Sequence, residues 1–284
     1  MFAKMTFETV RCTSAKECEF NTREQKMTMM DRLQRVPASG FDPTADWRKL
    51  PLAVIDVETS GLDPVVDRVI EWGIALFNEG KFERSMGGFI NPSCDISEEV
   101  TKIHGITNEQ LREEGVPKFE DAYEIIRTAL ENRIPVAYNA EFDRSFMLNE
   151  AGRVIRKMVI GQVREMGSVT ITPEMIEKTL NPDTLPAAFR GNVEWIDPLV
   201  WVRHIQKYEK GKKLTDVCAR LGIELKAHRA EADAAAAGEV LLMLAPRIDA
   251  DTYYRLLDMQ KKLSISQEKE YQAWRRRQPG GNHE

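Results

Sequence analysis

The alternation of apolar and polar positions first becomes dense at Leu52. Leu52–Glu58 is apolar, rich in β-branched residues and followed by Gly61, which predicts a strand. Arg68–Phe77 and Phe82–Ile90 predict two more strands, with Asn78-Glu79-Gly80 as the hairpin turn between them. Three antiparallel strands are therefore expected to open this region. The period then lengthens. Thr107-Asn108-Glu109-Gln110 fits a capping box, and Gly115 closes the short helix that it starts. Phe119, Tyr123, Ile126 and Leu130 recur at helical spacing and make one apolar face. Pro135–Tyr138 reads as a short strand, and Asp143–Ala151 as a helix closed by Gly152. Ala230–Ala245 is an Ala-rich helix stopped by Pro246, and Thr252–Leu263 predicts another helix. Strands first, then alternation with helices, predict an α/β layered domain with a mixed sheet.

The flanks are patterned more weakly. Residues 24–35 predict a short helix, after which Pro37, Gly40 and Pro43 break the chain into a linker or arm. Between Arg153 and Glu194 the pattern thins again, with Thr172-Pro173 as a helix start and Asn181-Pro182 as its end. So long a stretch reads as a functional excursion or a mobile insertion. The last residues, from Arg275 on, read as disordered. These features divide the chain into an N-terminal extension (1–50), a main domain (51–245) with an insertion at 153–194, and a helical C-terminal tail (246–284). No internal repeat is found.

Composition narrows the class. The 284 residues are 42% apolar and 30% charged, as in soluble globular proteins, and are enough to build a core without disulfides or a structural metal. No run approaches the 18 or so apolar residues of a membrane helix, and the N-terminus lacks the apolar stretch of a secretory signal, so a cytoplasmic location and no membrane partner are expected. Cys12, Cys18, Cys94 and Cys218 are spread along the chain without a C-x-x-C pair, as expected for free thiols in a reducing compartment. The net charge of −5 argues against a broad, non-specific grip on duplex nucleic acid.

Three constellations carry chemistry. Asp56 and Glu58 alternate along one face of the first strand, in a run that is otherwise apolar. Two acids side by side there either reach solvent at the strand end or hold hard divalent cations such as Mg²⁺ or Mn²⁺. Asn139-Ala140-Glu141-Phe142-Asp143 joins a strand to a helix, where the plain role for Asp143 is an N-cap. His228-Arg229-Ala230-Glu231-Ala232-Asp233 leads into the Ala-rich helix, where Asp233 would favour the helix dipole. Each is weak alone.

In this order, DVETSGLDP, NAEFD and HRAEAD resemble the DEDDh (DnaQ-like) 3′–5′ exonuclease superfamily, and His104-Gly105-Ile106-Thr107 is similar to a segment between its first two motifs. That group includes the proofreading (epsilon) subunits and domains of bacterial replicative polymerases, ribonuclease T and oligoribonuclease. The resemblance covers roughly residues 51–245, and the 153–194 stretch is longer than the family leads one to expect. It implies a ribonuclease H-like mixed sheet, three antiparallel strands followed by parallel ones, flanked by helices. It implies that Asp56, Glu58, Asp143 and Asp233 hold two divalent ions, with Asp56 bridging, and that His228 is the general base. Two such ions suit in-line displacement at phosphorus, and a histidine suits proton abstraction near neutral pH. The product would be 5′-mononucleotides. Thr59, Gly61, Leu62, His104 and Asn139 are the candidate substrate contacts. Tyr138 stands where many relatives carry histidine, a departure that bears on recognition of the strand end and removes no metal ligand.

A non-catalytic adaptor would be expected to have lost one of the five residues, and a glycosidase would leave Asp143, His228 and Asp233 unexplained. Within the nuclease class the segment from His104 to Thr107 favours single-stranded DNA over RNA, with exoribonuclease activity as the alternative. A polymerase or other protein partner would bind through the tails, although neither shows a heptad or a Pro-rich ligand. Charge distribution refines the first impression. Residues 1–50 and 246–284 each carry +2, which leaves −9 on 51–245, and four of those negatives are the candidate metal ligands. Residues 144–164 and 199–213 each hold five basic residues and one acidic residue. The pattern suits a strand end held by metals and a local groove, with weak affinity elsewhere.

Overall fold

The computed structural model describes residues 34–165, 185–225 and 228–277. Four strands form one sheet: β1 (Leu52–Thr59), β2 (Val69–Asn78), β3 (Lys81–Phe89) and β4 (Ile134–Val136), in the order β3-β2-β1-β4. β1 and β3 run antiparallel to β2, and β4 runs parallel to β1. The turn between β2 and β3 uses Glu79 (φ 49°) and Gly80 (φ 71°), the left-handed pair that a tight hairpin requires. Three antiparallel strands open the sheet, as the alternation predicts.

Beyond β4 the sheet is extended by a segment that periodicity does not reveal. Ile196 bridges Val136 in parallel, and Val36 in turn bridges Val193. The linker expected around Pro37 is therefore tied to the sheet edge. Trp47 is fully buried and its indole N–H donates to the Ala250 carbonyl at 2.8 Å.

The helices are α1 (Glu98–His104), α2 (Asn108–Leu111), α3 (Phe119–Leu130), α4 (Glu141–Glu165), α5 (Pro198–Ile205), α6 (Leu214–Leu221), α7 (Ala230–Leu244) and α8 (Tyr253–Arg277). They cover both sheet faces, so β1 is buried on each side. Leu52 and Val54 share a cluster with Val240, Leu241 and Leu244 of α7 and with Tyr253 of α8. Ala53, Ile55 and Val57 pack with Phe119 and Ile126 of α3 and Phe146 of α4. By alternation, Asp56 and Glu58 belong to the α7 side.

Several expectations are corrected. Helix α4 does not stop at Gly152 but runs through it to Glu165, because buried Ala151 and Val154 anchor it on both sides. The first part of the 153–194 stretch is thus helical, and its end is packed, with Ala187, Ala188 and Phe189 buried in a 3-10 turn. Asp143 is the third residue of α4, not its N-cap. Helix α8 continues past Leu263 through Arg275–Arg277, which are helical rather than disordered; three cations in the last turn suit the negative end of the helix dipole. The α2 capping box forms as expected, but the helix ends at Leu111, before Gly115. The helix started by Thr172, most of the one over 24–35, and Cys12 and Cys18 lie outside the described residues. Among the described residues no helix is long and apolar enough to cross a membrane.

One close approach fixes the site. Gly73 on β2 lies against the Ala230 carbonyl and the Glu231 backbone nitrogen, with no room for a Cβ. Gly152, by contrast, has nothing within 4 Å of where its Cβ would stand. Gly73→Ala is expected to cost about 1–3 kcal/mol through overpacking, whereas Gly152→Ala should add up to about 1 kcal/mol of helix stability. Urea unfolding midpoints check both; equal behaviour of the two variants would contradict the packing described.

Candidate active site

Asp56 pairs across the sheet with Gly73, and Glu58 pairs with Glu71. The first turn of α7, resting on Gly73, therefore sets Asp233 opposite Asp56 and Glu58. One carboxylate oxygen from each of these three acids lies within 4.8 Å of the others. Asp143 arrives from the β4 side of β1, buried, with Oδ1 accepting the Val57 N–H at 3.0 Å. His228 is exposed, at φ 65°, and its backbone N–H donates to Asp233 Oδ2 at 2.9 Å. All five line a single cavity of about 260 Å³.

The electrostatics of this cluster are unfavourable without cations. Burial, and then the charges of Asp143, Asp233, Glu58 and Glu71, hold the Asp56 carboxyl well above the usual carboxylate range. Burial and the charges of Asp233 and Glu71 push Glu58 up to about 7. Burial also raises Asp143, against the lowering effect of the Val57 N–H. Asp233 is raised by burial and partly relieved by the His228 N–H. Convergent oxygen donors that resist ionising together are a fit for a hard divalent ion.

The other candidates are placed less uniformly. Asn139 lines the cavity at φ 66°. His104 is buried at the end of α1. Its Nδ1 accepts the Ile106 N–H at 3.0 Å, and its Nε2 meets no hydrogen-bond partner among the described residues. Burial and the nearby His228 lower its pKa, so the neutral ring keeps its proton on Nε2. Thr59 ends β1, Gly61 and Leu62 lie on the loop beyond it, and none of the three lines the cavity. Thr59 is buried and its hydroxyl donates to the Gly61 carbonyl at 2.6 Å, while Leu62 is 83% exposed. The missing Cβ of Gly61 makes room for the Asp67 carboxylate within this loop, which differs from its expected role of admitting a ligand.

Several residues escaped the sequence reading. Glu71 is buried, pairs with Arg229 at 2.9 Å and accepts the Ala230 N–H at 3.5 Å. Arg229 also stands over the Phe89 ring, 4.9 Å from its centre. An acid inside the apolar run of β2 was the available signal. Asp197 caps α5 through the Leu199 N–H and also accepts the N–H groups of Asn139 (3.0 Å) and Ala140 (3.2 Å). Asp197-Pro198 signals the cap, but nothing local signals the second task. Lys213 and Thr215 line the cavity from the start of α6, and the Tyr138 hydroxyl donates to the Lys212 carbonyl at 2.5 Å.

Residues 53–181 match the RNase_T exonuclease family. The chain is 29% identical over 223 residues to a PolC-type DNA polymerase III from Thermotoga petrophila, covering 78% of this chain and 13% of that protein. It is 31% identical over 129 residues to the PolC-type enzyme of Mycoplasmopsis pulmonis, covering 45% of this chain and 8% of that one. It thus spans only a small part of these polymerases. Among solved structures, exonuclease I from Methylocaldum szegediense superposes with a TM-score of 0.52 at 20% identity, over 74% of this chain and 42% of the other. Another exonuclease I structure gives 0.53 at 18% identity, over 74% and 43%. These two likenesses bear on the fold.

The raised Glu58 pKa has a pH consequence. Between the unfolded value near 4.5 and the folded value of about 7, the folded state binds more protons than the unfolded one. Stability is thus lost as pH rises through that window. In a chelator, Glu58→Gln should therefore be more stable than the native sequence at pH 8, with the advantage fading towards pH 4.5. Divalent ions should erase the advantage at pH 8 by stabilising the native chain. Thermal midpoints at both pH values check this; a Glu58→Gln advantage that does not change with pH would refute it.

Proposed function

We propose that this chain, whose residues 53–181 match the RNase_T exonuclease family and which is similar to part of PolC-type polymerases, is a DnaQ-like 3′–5′ exonuclease that removes 5′-mononucleotides from the 3′ end of single-stranded DNA. The observation that carries the reading is the meeting of Asp56, Glu58 and Asp233 within 4.8 Å, with Asp143 and His228 on the same cavity wall. Asp56, Glu58, Asp143 and Asp233 would hold two divalent ions, Mg²⁺ or Mn²⁺, which supply Lewis-acid activation of water and of the phosphate.

The chain's own residues do the rest. Imidazole has the proton affinity to take a proton from the attacking water near neutral pH, and His228 is exposed at the cavity where that water would stand. The water oxygen bonds to phosphorus, the bond to the 3′ oxygen of the preceding nucleotide breaks, and that oxygen takes up a proton. Asp233 fixes the His228 backbone through its N–H, so one carboxylate supports both a metal site and the base. Asn139, held in its left-handed turn by Asp197, offers its amide to the terminal nucleotide. His104 offers the Nε2–H donor to the same end. DNA is favoured as substrate because the PolC-type relatives are DNA polymerases.

With Mg²⁺ or Mn²⁺, the purified protein is expected to shorten 5′-labelled single-stranded DNA into a ladder, one nucleotide at a time, and to act less efficiently on the matched RNA. Intact DNA and RNA after prolonged incubation would overturn the reading. Asp56→Ala should abolish turnover while the chain stays folded. His228→Ala should lower kcat by about 10²–10⁴-fold, with divalent-ion binding by calorimetry retained. Loss of ion binding in that variant would mean that His228 is not simply a base.

A further inference from the structure

A second and larger cavity adjoins the first. It is a groove of about 1120 Å³ between α8 on one side and α5 with the stretch that follows it on the other, and both cavities are lined by Asn139. Lys212 faces the groove and Lys213 faces the site, so the chain crosses from one to the other in a single residue. The far end is marked by Tyr271 and Trp274 on α8, 51% and 55% exposed, with ring centres 5.9 Å apart and planes 23° from parallel. Large aromatic side chains half open to solvent call for a flat partner.

The charges in the groove divide into two sets. Glu141 and Glu194 are engaged with Arg35, at 3.0 Å and 3.8 Å, and Asp197 is occupied by three backbone N–H groups. The wall formed by Arg203, Lys207 and Lys212 belongs to the basic stretch 199–213, and Lys207 has no hydrogen-bond partner among the described residues. Glu268 and Glu270 lie on the opposite wall, where Glu268 accepts from Gln272. One wall is cationic and one end is aromatic.

We propose that this groove is the track for the single-stranded DNA behind the reacting 3′ end, with the basic wall of 203–212 along the phosphates and Tyr271 and Trp274 stacking on a base. The proposal rests on the exonuclease reading above. A cationic groove that leads to a stacking platform is the sequence-tolerant way to hold single strands. Its length sets the reach. Gln260, which accepts the Asp197 N–H beside the site, is 14 residues before Trp274. At 1.5 Å per helical residue that is about 21 Å, or up to about six nucleotides at roughly 3.4 Å each.

The test compares 3-nucleotide and 12-nucleotide thymidine oligomers, which differ in whether they reach the platform. The native protein should show a lower KM for the 12-mer. Trp274→Ala and Tyr271→Ala should raise the KM for the 12-mer about tenfold and leave kcat, and both constants for the 3-mer, unchanged. Trp274→Phe should restore the KM. Lys207→Glu should flatten the salt dependence of KM for the 12-mer but not for the 3-mer. Equal KM values for the two lengths, or an unchanged 12-mer KM in both alanine variants, would overturn the proposal and leave the aromatic pair to a protein contact. Fluorescence anisotropy of a labelled 12-mer in a chelator reads the groove without catalysis. Tighter binding by the native protein than by Trp274→Ala, together with no hydrolysis, would refute the exonuclease reading while upholding the groove. Hydrolysis with no difference in binding would do the reverse.

Discussion

The first turn of α7 rests directly on the bare backbone of Gly73, and most of what matters in this molecule follows from that contact. Gly73 is the cross-strand partner of Asp56, so the helix that touches it must deliver its early residues to the acidic end of β1. The force that seats the helix is apolar. Val240, Leu241 and Leu244, further along α7, are fully buried against Val54 and Phe77 of the sheet. Their burial contributes roughly 5–9 kcal/mol in all. That gain stands against the burial, and then the neighbouring carboxylate charges, that keep Asp56 and Glu58 reluctant to ionise. The fold can therefore hold clustered carboxylates in place and leave the relief of their repulsion to protons or to bound cations.

The two backbone excursions nearest the site share one device. His228 and Asn139 both adopt left-handed conformations that cost a non-glycine residue on the order of 1 kcal/mol or more. Each is pinned by a carboxylate that accepts its N–H: Asp233 for His228, and Asp197 for Asn139. Glu71 adds a third such link, holding the Ala230 N–H and the Arg229 side chain on either side of the α7 start. Strain concentrated in this way fixes side-chain direction where a substrate would meet it.

Much of this was legible because it is local. The acids of β1 stand out since period two places 56 and 58 on one face of an apolar run, and the capping box at Thr107 forms as written. What was not legible depends on distant partners. Gly152 reads as a helix stop, yet buried neighbours carry α4 through it. Pro37, Gly40 and Pro43 read as a linker, yet Val36 bridges Val193, and Trp47 reaches Ala250 across two hundred residues. Asp197 announces a helix cap, while its hold on Asn139 exists only once β4 and α5 lie side by side. Tyr271 and Trp274 fall in a stretch of low hydropathy, and their stacked, half-exposed pairing depends on the helix reaching that far.

The acidic balance of the chain now has a spatial meaning. Negative charge is concentrated where Asp56, Glu58, Asp143 and Asp233 converge, and the positive charge of residues 203–213 begins at the cavity rim and leads away from it. A nucleic-acid strand would meet two electrostatic regimes in succession. At the proposed reacting end, attraction would arise only after cations had neutralised the carboxylates, and such cations would sit among buried groups where added salt screens little. Along the groove, lysines and arginines at a solvent-facing wall attract phosphate directly and are screened strongly. Divalent ions would then govern turnover and monovalent salt would govern retention of the strand. On the proposed reading, a protein of net charge −5 would thus act on a polyanion while holding it only near its end.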